Sequence, residues 1–240
     1  MVFLLLLSIS HFLMNAALST SSNLDTLQKN CLLPGQMEEI RQNTRVAAYQ
    51  KREVIFRQNT PTSHIMYVIS GLVKIYKEGR NKRNFILKIA TPGDFIGLMS
   101  NYGNESHQYS ASSIQSSEIG YIDNHVFESI IKNNNEFALS LIRTLSVDGL
   151  FIFERLMGQS HKQLPGRIAD VILYFSDVIF KREDFEFPMT RRELAELAGT
   201  TKESFIRTLA EFKNDKIIDL EDSRVSIKSM KIVRTLSELG

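Results

Sequence analysis

The chain has 240 residues, of which 43% are hydrophobic and 23% charged, and its formal net charge is +2. This composition is typical of a soluble globular protein of one or two domains, and a net charge this close to zero gives no indication of a nucleic-acid partner. The single cysteine, Cys31, excludes a disulfide within the chain and any zinc or iron–sulfur site that needs four cysteines of one chain.

Residues 1–22 form an apolar N-terminal extension that looks like a targeting segment. A secretory signal has a basic region before its apolar run, yet no Lys or Arg precedes Lys29 in this chain. The run is also too short, and too often interrupted by polar residues, to span a membrane. We therefore expect translation to start at Met14; a cryptic signal or anchor and an amphipathic extension remain alternatives. No other segment approaches membrane length, which predicts a cytoplasmic protein without membrane contact.

A domain rich in short strands is predicted over residues 23–133. It opens with a helical pattern at roughly 24–45, and from Ala48 onward apolar residues alternate with a period of two. The alternating segments are EVIFRQN, HIMYVISGLVKIY and NFILKIA, followed by a strand pair around Tyr109–Ile114 and Glu118–Ile122. Turn residues separate these segments, and short strands with such punctuation predict an antiparallel barrel or sandwich.

A long amphipathic helix is predicted over residues 134–164, with Asn135 as its N-cap. Its apolar residues recur at spacings of three and four, which is typical of a helix that packs on a second copy of itself. The residues predicted to form this dimer contact are Leu141, Leu145, Ile152 and Leu156. Packing against the preceding strands is the alternative, and both can hold on different faces. Pro165-Gly166 then predicts a boundary at 164–166, before a domain over 165–240.

Residues 189–212 have the pattern of two short helices joined by a tight turn. Thr190 and Glu193 form a capping-box pattern that starts the first helix, Gly199 supplies the turn, and Thr201 caps the second helix. This is the geometry of a helix-turn-helix, whose second helix enters the DNA major groove. Residues 159–240 carry 14 basic and 14 acidic side chains, so a DNA-binding role depends on where the charges point.

The second helix has one apolar face and one mixed face. The mixed face is predicted to read DNA bases and consists of Lys202, Glu203, Ile206 and Arg207. Arginine can bind guanine O6 and N7, a carboxylate can accept from the cytosine amino group, and isoleucine can contact a thymine methyl. An ordinary helical hairpin with a Glu203–Arg207 ion pair is the alternative. Downstream, residues 218–228 read as a hairpin, or wing, from which Arg224 is predicted to contact phosphate.

With its strands, long helix, Pro-Gly boundary and winged helix-turn-helix in this order, the chain resembles the Crp/Fnr family of bacterial transcription regulators over about residues 24–235. The motifs that carry the resemblance are YVISGLVKIY, PGDFIG at 92–97, GRIADVILYF and MTRRELAELAGTTKESFIRTL. The resemblance implies an α+β fold with an N-terminal antiparallel β-roll like that of cyclic-nucleotide-binding domains, a dimerisation helix and a C-terminal winged helix-turn-helix. It implies a homodimer on a two-fold symmetric DNA operator, contact with RNA polymerase and no enzymatic activity. The family's phosphate-contacting positions fall on Thr190, Arg191, Arg192 and Thr201.

The effector that the resemblance implies does not carry over residue by residue. Positions of the family's pocket fall on Gly97, Leu98, Met99, Tyr109, Ser110, Ile152 and Phe153. Leu98 stands where cyclic-AMP-binding members have a ribose-binding glutamate, and Tyr109 stands where they have a phosphate-binding arginine. We therefore disfavour cyclic AMP, and Cys31 alone excludes the family's iron–sulfur cluster within one chain. An apolar or haem-like ligand, constitutive DNA binding with a vestigial roll, and a nucleotide-binding module that acts on a protein partner remain alternatives.

Overall fold

The computed structural model describes residues 31–79 and 84–240; the predicted extension over 1–22 and its start at Met14 lie outside these residues. The chain forms two compact units, which divide between Ile152 and Phe153 inside the longest helix; residues 84–86 group with the second unit. Among the described residues, none of the helices combines the length and the apolar character that a membrane span requires.

The N-terminal part contains two four-stranded sheets and several helices. Its strands are β1 (Thr44–Tyr49), β2 (Val54–Phe56), β3 (His64–Ser70), β4 (Val73–Glu78), β5 (Asn84–Ala90), β6 (Phe95–Ile96), β7 (Ser110–Ser113) and β8 (Ser117–Asp123). Its helices are α1 (Pro34–Gln42), α2 (Leu98–Asn104), α3 (Asn124–Asn133) and α4 (Asn135–His161), the last of which continues into the second unit.

The strand order is β1-β8-β3-β6 in one sheet and β2-β7-β4-β5 in the other. The pairings β1–β8, β3–β8, β3–β6, β2–β7 and β4–β7 are antiparallel. One apolar cluster draws on both sheets, with Met66 and Ile119 from the first and Val73 and Ala111 from the second. The predicted antiparallel β-roll is thus confirmed, and alternation at period two places its core side chains between the sheets.

The ends of two predicted helices differ in the structure. The helical pattern at 24–45, of which residues 24–30 lie outside the described residues, ends at Gln42 and gives way to β1 at Thr44; Pro34 stands in the first turn of α1, where proline is favoured. The N-cap of α4 is Asn134 rather than Asn135, because Asn134 Oδ1 accepts a hydrogen bond of 3.0 Å from the backbone nitrogen of Phe137.

The first turns of α4 are buried in their own unit. Phe137 and Leu141 pack in a second apolar cluster with Ile65, Leu98 and Phe127. Leu141 is only 6% exposed, so its predicted role in a dimer contact is wrong: the β-rich unit already covers it. Leu145, Ile152 and Leu156 remain partly or largely exposed. Exposed apolar side chains of α4 are Leu139, Ile142, Leu150, Phe153, Leu156 and Met157.

The second unit contains the winged helix-turn-helix. Beyond α4 it consists of α5 (Leu164–Leu173), a π-helical segment (Tyr174–Phe180), β9 (Asp184–Glu186), α6 (Arg191–Leu197), α7 (Lys202–Asn214), β10 (Ile218–Glu221), β11 (Arg224–Ile227) and α8 (Met230–Leu239). The strands form one antiparallel sheet in the order β10-β11-β9. The predicted boundary at 164–166 coincides with the start of α5, whereas the compact unit begins earlier, at Phe153.

Candidate nucleic-acid interface

The first helix of the motif, α6, is capped as the sequence predicts. Thr190 Oγ1 accepts a hydrogen bond of 3.3 Å from the backbone nitrogen of Glu193, whose carboxylate accepts in return from the backbone nitrogen of Thr190 at 3.0 Å. This reciprocal capping box satisfies two amide donors that a helix N-terminus leaves without partners. The side chains of Leu194, Ala195, Leu197 and Ala198 are all buried.

The turn between α6 and α7 depends on Gly199. Its φ of +64° lies in the left-handed region that favours glycine. The backbone nitrogen of Thr200 donates a hydrogen bond of 2.9 Å to the carbonyl of Ala195, which closes the turn. Thr201 caps α7, because its Oγ1 accepts a hydrogen bond of 3.2 Å from the backbone nitrogen of Ser204. The hydroxyls of Thr190 and Thr201 are therefore both engaged in caps, and each marks the N-terminal end of a helix.

Helix α7 presents two distinct faces. Phe205, Leu209 and Phe212 are buried, as the sequence predicts. The opposite face is exposed and contains the four predicted base-reading side chains, Lys202, Glu203, Ile206 and Arg207. Ile206 is 43% exposed between the charges. The structure therefore brings these four residues together on one accessible face of an α-helix, and the major groove is wide enough to admit such a helix.

The ion pair on α7 is not the Glu203–Arg207 pair of the helical-hairpin alternative. Arg207 Nε lies 3.9 Å from Glu211 Oε1, and both side chains are more than half exposed. Arg207 thus pairs with a carboxylate one turn closer to the C-terminal end of α7, while Glu203 lies one turn closer to the N-terminal end. An exposed pair at this distance contributes little to stability, so Arg207 can exchange Glu211 for a base at small cost.

Arg191 does not present its charge as the sequence predicted. Its Nη2 donates to the backbone carbonyl of Asp222 at the tip of the wing, and its guanidinium lies 5.7 Å from the ring centroid of Phe187. Burial lowers the pKa of Arg191, and Nη1 is buried without a hydrogen-bond partner among the described residues. The phosphate role assigned to Arg191 is therefore corrected: the side chain connects α6 to the wing.

Arg192 and Arg224 are both predicted to contact phosphate. Both side chains are exposed, and each forms an ion pair within the protein. Arg192 Nε lies 3.3 Å from the buried carboxylate of Glu196, one turn along α6. Arg224, on β11, donates from Nε and Nη2 to the two carboxylate oxygens of Asp184 on β9, each at 3.2 Å. Hydrogen bonds from Ser226 and Arg224 hold the pKa of Asp184 below its usual value, so the carboxylate is ionised at neutral pH.

Two of the predicted effector-pocket residues, Leu98 and Tyr109, lie in different apolar clusters. Leu98 is 3% exposed and packs with α3 and α4 on the outer side of the first sheet, so its predicted place in a pocket lining is corrected to a core position. Tyr109 lies in the cluster between the sheets. Gly97 has a φ of +82°, and the Ser110 hydroxyl donates 2.7 Å to Glu78.

The remaining predicted pocket residues are more exposed. Met99 lies on the outer face of α2 and is 40% exposed, Ile152 is half-buried and Phe153 is 66% exposed on α4. Among the described residues, no cluster of three or more His, Cys, Asp or Glu side chains is placed to hold a metal ion.

Sequence reasoning missed a buried cation in the first unit. Lys88, on β5, is largely buried, and its ammonium lies 2.8 and 2.7 Å from the two carboxylate oxygens of Asp148 on α4. The two residues are 60 positions apart, so no local pattern connects them. A lysine between apolar residues of a strand was the one available signal.

Two family models match the chain. The cyclic nucleotide-binding domain matches residues 46–134, and the Crp-like helix-turn-helix domain matches residues 166–236. It is similar to the CRP-like cAMP-activated global transcriptional regulator of Mycobacterium tuberculosis, at 25% identity over 183 residues, which covers 75% of this chain and 82% of that protein.

A second relative matches over almost its full length. The nitrogen fixation regulation protein FixK of Bradyrhizobium diazoefficiens is 23% identical and is covered to 94%, with 95% of this chain. Among solved structures, FixK2 from Bradyrhizobium japonicum superposes with a TM-score of 0.74 at 20% identity, over 80% of this chain and 96% of that one. The structural likeness shows that the fold is shared.

Proposed function

Because this chain belongs to the Crp/Fnr family of transcriptional regulators, we propose that it acts as a homodimer on a two-fold symmetric DNA operator in the cytoplasm. The family is one of regulators and not of enzymes. The observation that carries the proposal is the exposed face of α7, which places an arginine, a lysine, a carboxylate and an isoleucine side by side. Two such helices would enter successive major grooves about 34–36 Å apart.

Each side chain of this face has a specific role in the proposal. Arg207 binds O6 and N7 of a guanine, and Glu203 accepts from a cytosine amino group. Lys202, in the first turn of α7, reaches guanine or phosphate, and Ile206 contacts a thymine methyl. The N-terminal ends of α6 and α7, marked by Thr190 and Thr201, point backbone amides at phosphate, as helix N-termini do. Arg192 and Arg224 add phosphate contacts when their carboxylate partners release them.

The exposed apolar side chains of α4 support the dimer. Ile142, Phe153 and Leu156 follow the spacing of one helical seam, with Ser146 and Gly149 at the intervening positions. Phe153 is 66% and Ile142 61% exposed in the single chain. A second copy of α4 covers such a seam, and family members act as dimers. The dimer contact we propose therefore includes Ile142 and Phe153 and excludes Leu141.

We propose that an effector other than cyclic AMP gates DNA binding. The Mycobacterium tuberculosis relative is named as cAMP-activated, but the glutamate and arginine positions for the nucleotide hold Leu98 and Tyr109 here. The structure shows a buried cation in this unit, Lys88, but its ammonium is already paired with Asp148. Burial of a cyclic phosphate without a cation that is available to it costs several kcal/mol. An apolar or haem-like ligand fits the altered residues better.

Constitutive DNA binding is the second candidate. The Lys88–Asp148 pair connects the β-roll to α4 without a ligand, so the roll can serve as a scaffold for the dimer helix alone. The third is a nucleotide-binding module that acts on a protein partner. It has less support, because it gives no reason for the exposed mixed face of α7. Once on DNA, the protein is proposed to contact RNA polymerase.

Selection of DNA from a random pool tests these proposals. We would run it with the purified chain alone, with added cyclic AMP and with a small-molecule extract of cells. A two-fold symmetric site enriched only with extract supports gating by another effector. The same site enriched in all three arms supports constitutive binding. Enrichment only with cyclic AMP overturns our effector proposal, and no enrichment in any arm overturns the DNA-binding role.

A further inference from the structure

The last two turns of α4 belong to the DNA-binding unit and contact the turn of its helix-turn-helix. Arg155 Nη2 donates a hydrogen bond to the backbone carbonyl of Leu197, the last residue of α6. One helical turn further, the side chain of Gln159 lies so close to Gly199 that a Cβ on Gly199 would be 2.7 Å from Gln159 Cδ. Both contacts are made to the segment that fixes the angle between α6 and α7.

Two neighbouring contacts involve α5. Arg167 Nη1, in α5, donates a hydrogen bond of 3.1 Å to the carbonyl of Gly199, and Lys162, just after α4, pairs with Asp170 of α5 at 2.7 Å. The carbonyls at the C-terminal end of a helix have no partner within it and carry partial negative charge. Arg155 and Arg167 are therefore well suited to this position, since each brings a cation with several donors.

The opposite side of the same two turns is apolar and exposed. Phe153, Leu156 and Met157 are 66%, 44% and 54% exposed. A residue advances about 100° around an α-helix, so these three share one side while Arg155 and Gln159 share the other. In the dimer proposed above, the exposed side meets the second copy. The same short stretch of helix thus contacts the partner on one side and the reading domain on the other.

We propose that Arg155 is a positioning residue that sets the spacing between the two recognition helices of the dimer. It acts through the Leu197 carbonyl, which holds α6 and α7 at one orientation to the end of the dimer helix. Base recognition by each α7 does not involve Arg155, because the reading face lies on the exposed side of α7. This inference rests on the proposed function, since spacing has meaning only for a dimer on a symmetric operator.

The test measures affinity of the full-length chain for a selected operator, for operators with one base pair inserted or removed between half-sites, and for a single half-site. Each inserted base pair moves the half-sites by about 3.4 Å and rotates them. In Arg155→Ala, discrimination against altered spacing should fall by about tenfold, the loss expected for one charged hydrogen bond. Half-site affinity and base preference should change by less than about twofold. Arg155→Lys should restore most of the discrimination, because lysine keeps a donor and the charge.

Arg45→Ala is the matched control, because it removes one exposed arginine from β1 in the other unit and should leave spacing discrimination intact. If Arg155→Ala weakens half-site and full-site binding equally and keeps the spacing preference, Arg155 is only structural and the inference is wrong. If the wild-type chain shows no sequence preference, the proposed function itself fails, and the inference fails with it.

Discussion

Lys88 and Asp148 form a buried ion pair that joins β5 to α4 in the first unit. The two nitrogen–oxygen distances are 2.8 and 2.7 Å, and the side chains are 11% and 25% exposed. Burial raises the pKa of Asp94, and the charge of Lys88 offsets part of that rise. The first unit therefore contains a buried cluster of ionisable side chains formed by Lys88, Asp148 and Asp94.

Removal of one member of this pair should destabilise the first unit strongly. Asp148→Ala leaves the buried ammonium of Lys88 without its carboxylate, and we expect a loss of about 3–5 kcal/mol in the free energy of unfolding. Urea unfolding at fixed protein concentration measures it. Glu128→Ala, which breaks the exposed pair with Lys132, should cost less than about 1 kcal/mol. Equal losses in the two variants would contradict the burial that we assign to Lys88.

Arg207 is expected to determine one base pair of each half-site. Arg207→Ala should weaken operator binding by roughly 1–3 kcal/mol and relax preference at that pair, because a bidentate contact to guanine is lost. Repeated selection from a random pool measures the preference. Glu211→Ala removes only the neighbouring partner of Arg207 and should keep the selected sequence. An unchanged preference in Arg207→Ala would show that another residue reads the base.

Asp184 is expected to restrain the phosphate contact of Arg224. Asp184→Ala frees the guanidinium for DNA, so the slope of log affinity against log salt should steepen by about 1. Titration of operator and unrelated DNA at several salt concentrations measures the slope, and both sequences should change alike. Arg224→Ala is the companion variant and should flatten the slope or leave it unchanged. A slope that stays at the wild-type value in Asp184→Ala would rule out Arg224 as a phosphate contact.

The stability that the Asp184–Arg224 ion pair contributes should also depend on pH. Because hydrogen bonds from Ser226 and Arg224 lower the pKa of Asp184 in the folded chain, its contribution to stability is complete above the ordinary value of 3.8. That contribution is lost as the pH falls through the lower, folded-state pKa. NMR titration of the Asp184 carboxyl carbon measures this directly. A midpoint at or above 3.8 would mean that the wing does not hold the carboxylate as described.

Arg191 is expected to act on the wing and not on DNA phosphate. Arg191→Ala removes the hydrogen bond to the Asp222 carbonyl, which should cost roughly 1–3 kcal/mol and accelerate amide exchange at the wing tip. The salt dependence of DNA binding should not change, in contrast to the effect of losing a phosphate contact. A slope lower by about 1 would restore the role that the sequence first suggested.

Phe153 is expected to lie in the dimer contact. Phe153→Glu places a charge in the apolar seam of α4, and sedimentation velocity should then show a monomer at concentrations where the wild type is a dimer. Phe153→Leu keeps an apolar side chain and should remain dimeric. Retention of the dimer in Phe153→Glu would place the contact elsewhere on the chain.

The local patterns of the second unit could be predicted from the sequence, and its long-range pairs could not. The period of α7 identified both its buried and its exposed face, and the capping residues identified where α6 and α7 begin. The partner of Arg224 is 40 positions away on β9, and that of Arg191 lies in the wing, so only the folded sheet brings them together. An arginine that the sequence predicts to contact phosphate can thus be held by hydrogen bonds within its own domain.

The long helix α4 shows the same limit. Its apolar spacing indicated burial, but the helix has two apolar sides, and spacing alone did not show which one the β-rich unit covers. Leu141 proved to be core, and the exposed seam contains Phe153, which was assigned to the effector pocket. Likewise, Leu98 follows the glycine of PGDFIG as the resemblance requires, yet packing with α3 and α4 makes it a core residue.

The most direct test of the account is guanine N7 protection from methylation on the selected operator, with wild-type protein and Arg207→Ala. The account predicts two protected guanines related by two-fold symmetry, with half-site centres about 10–10.5 base pairs apart on one face of the duplex. It also predicts that both protections disappear together in Arg207→Ala while the bound complex persists at higher protein concentration. A single protected segment, or protection that is unchanged in Arg207→Ala, would contradict the proposal that two copies of α7 read the operator.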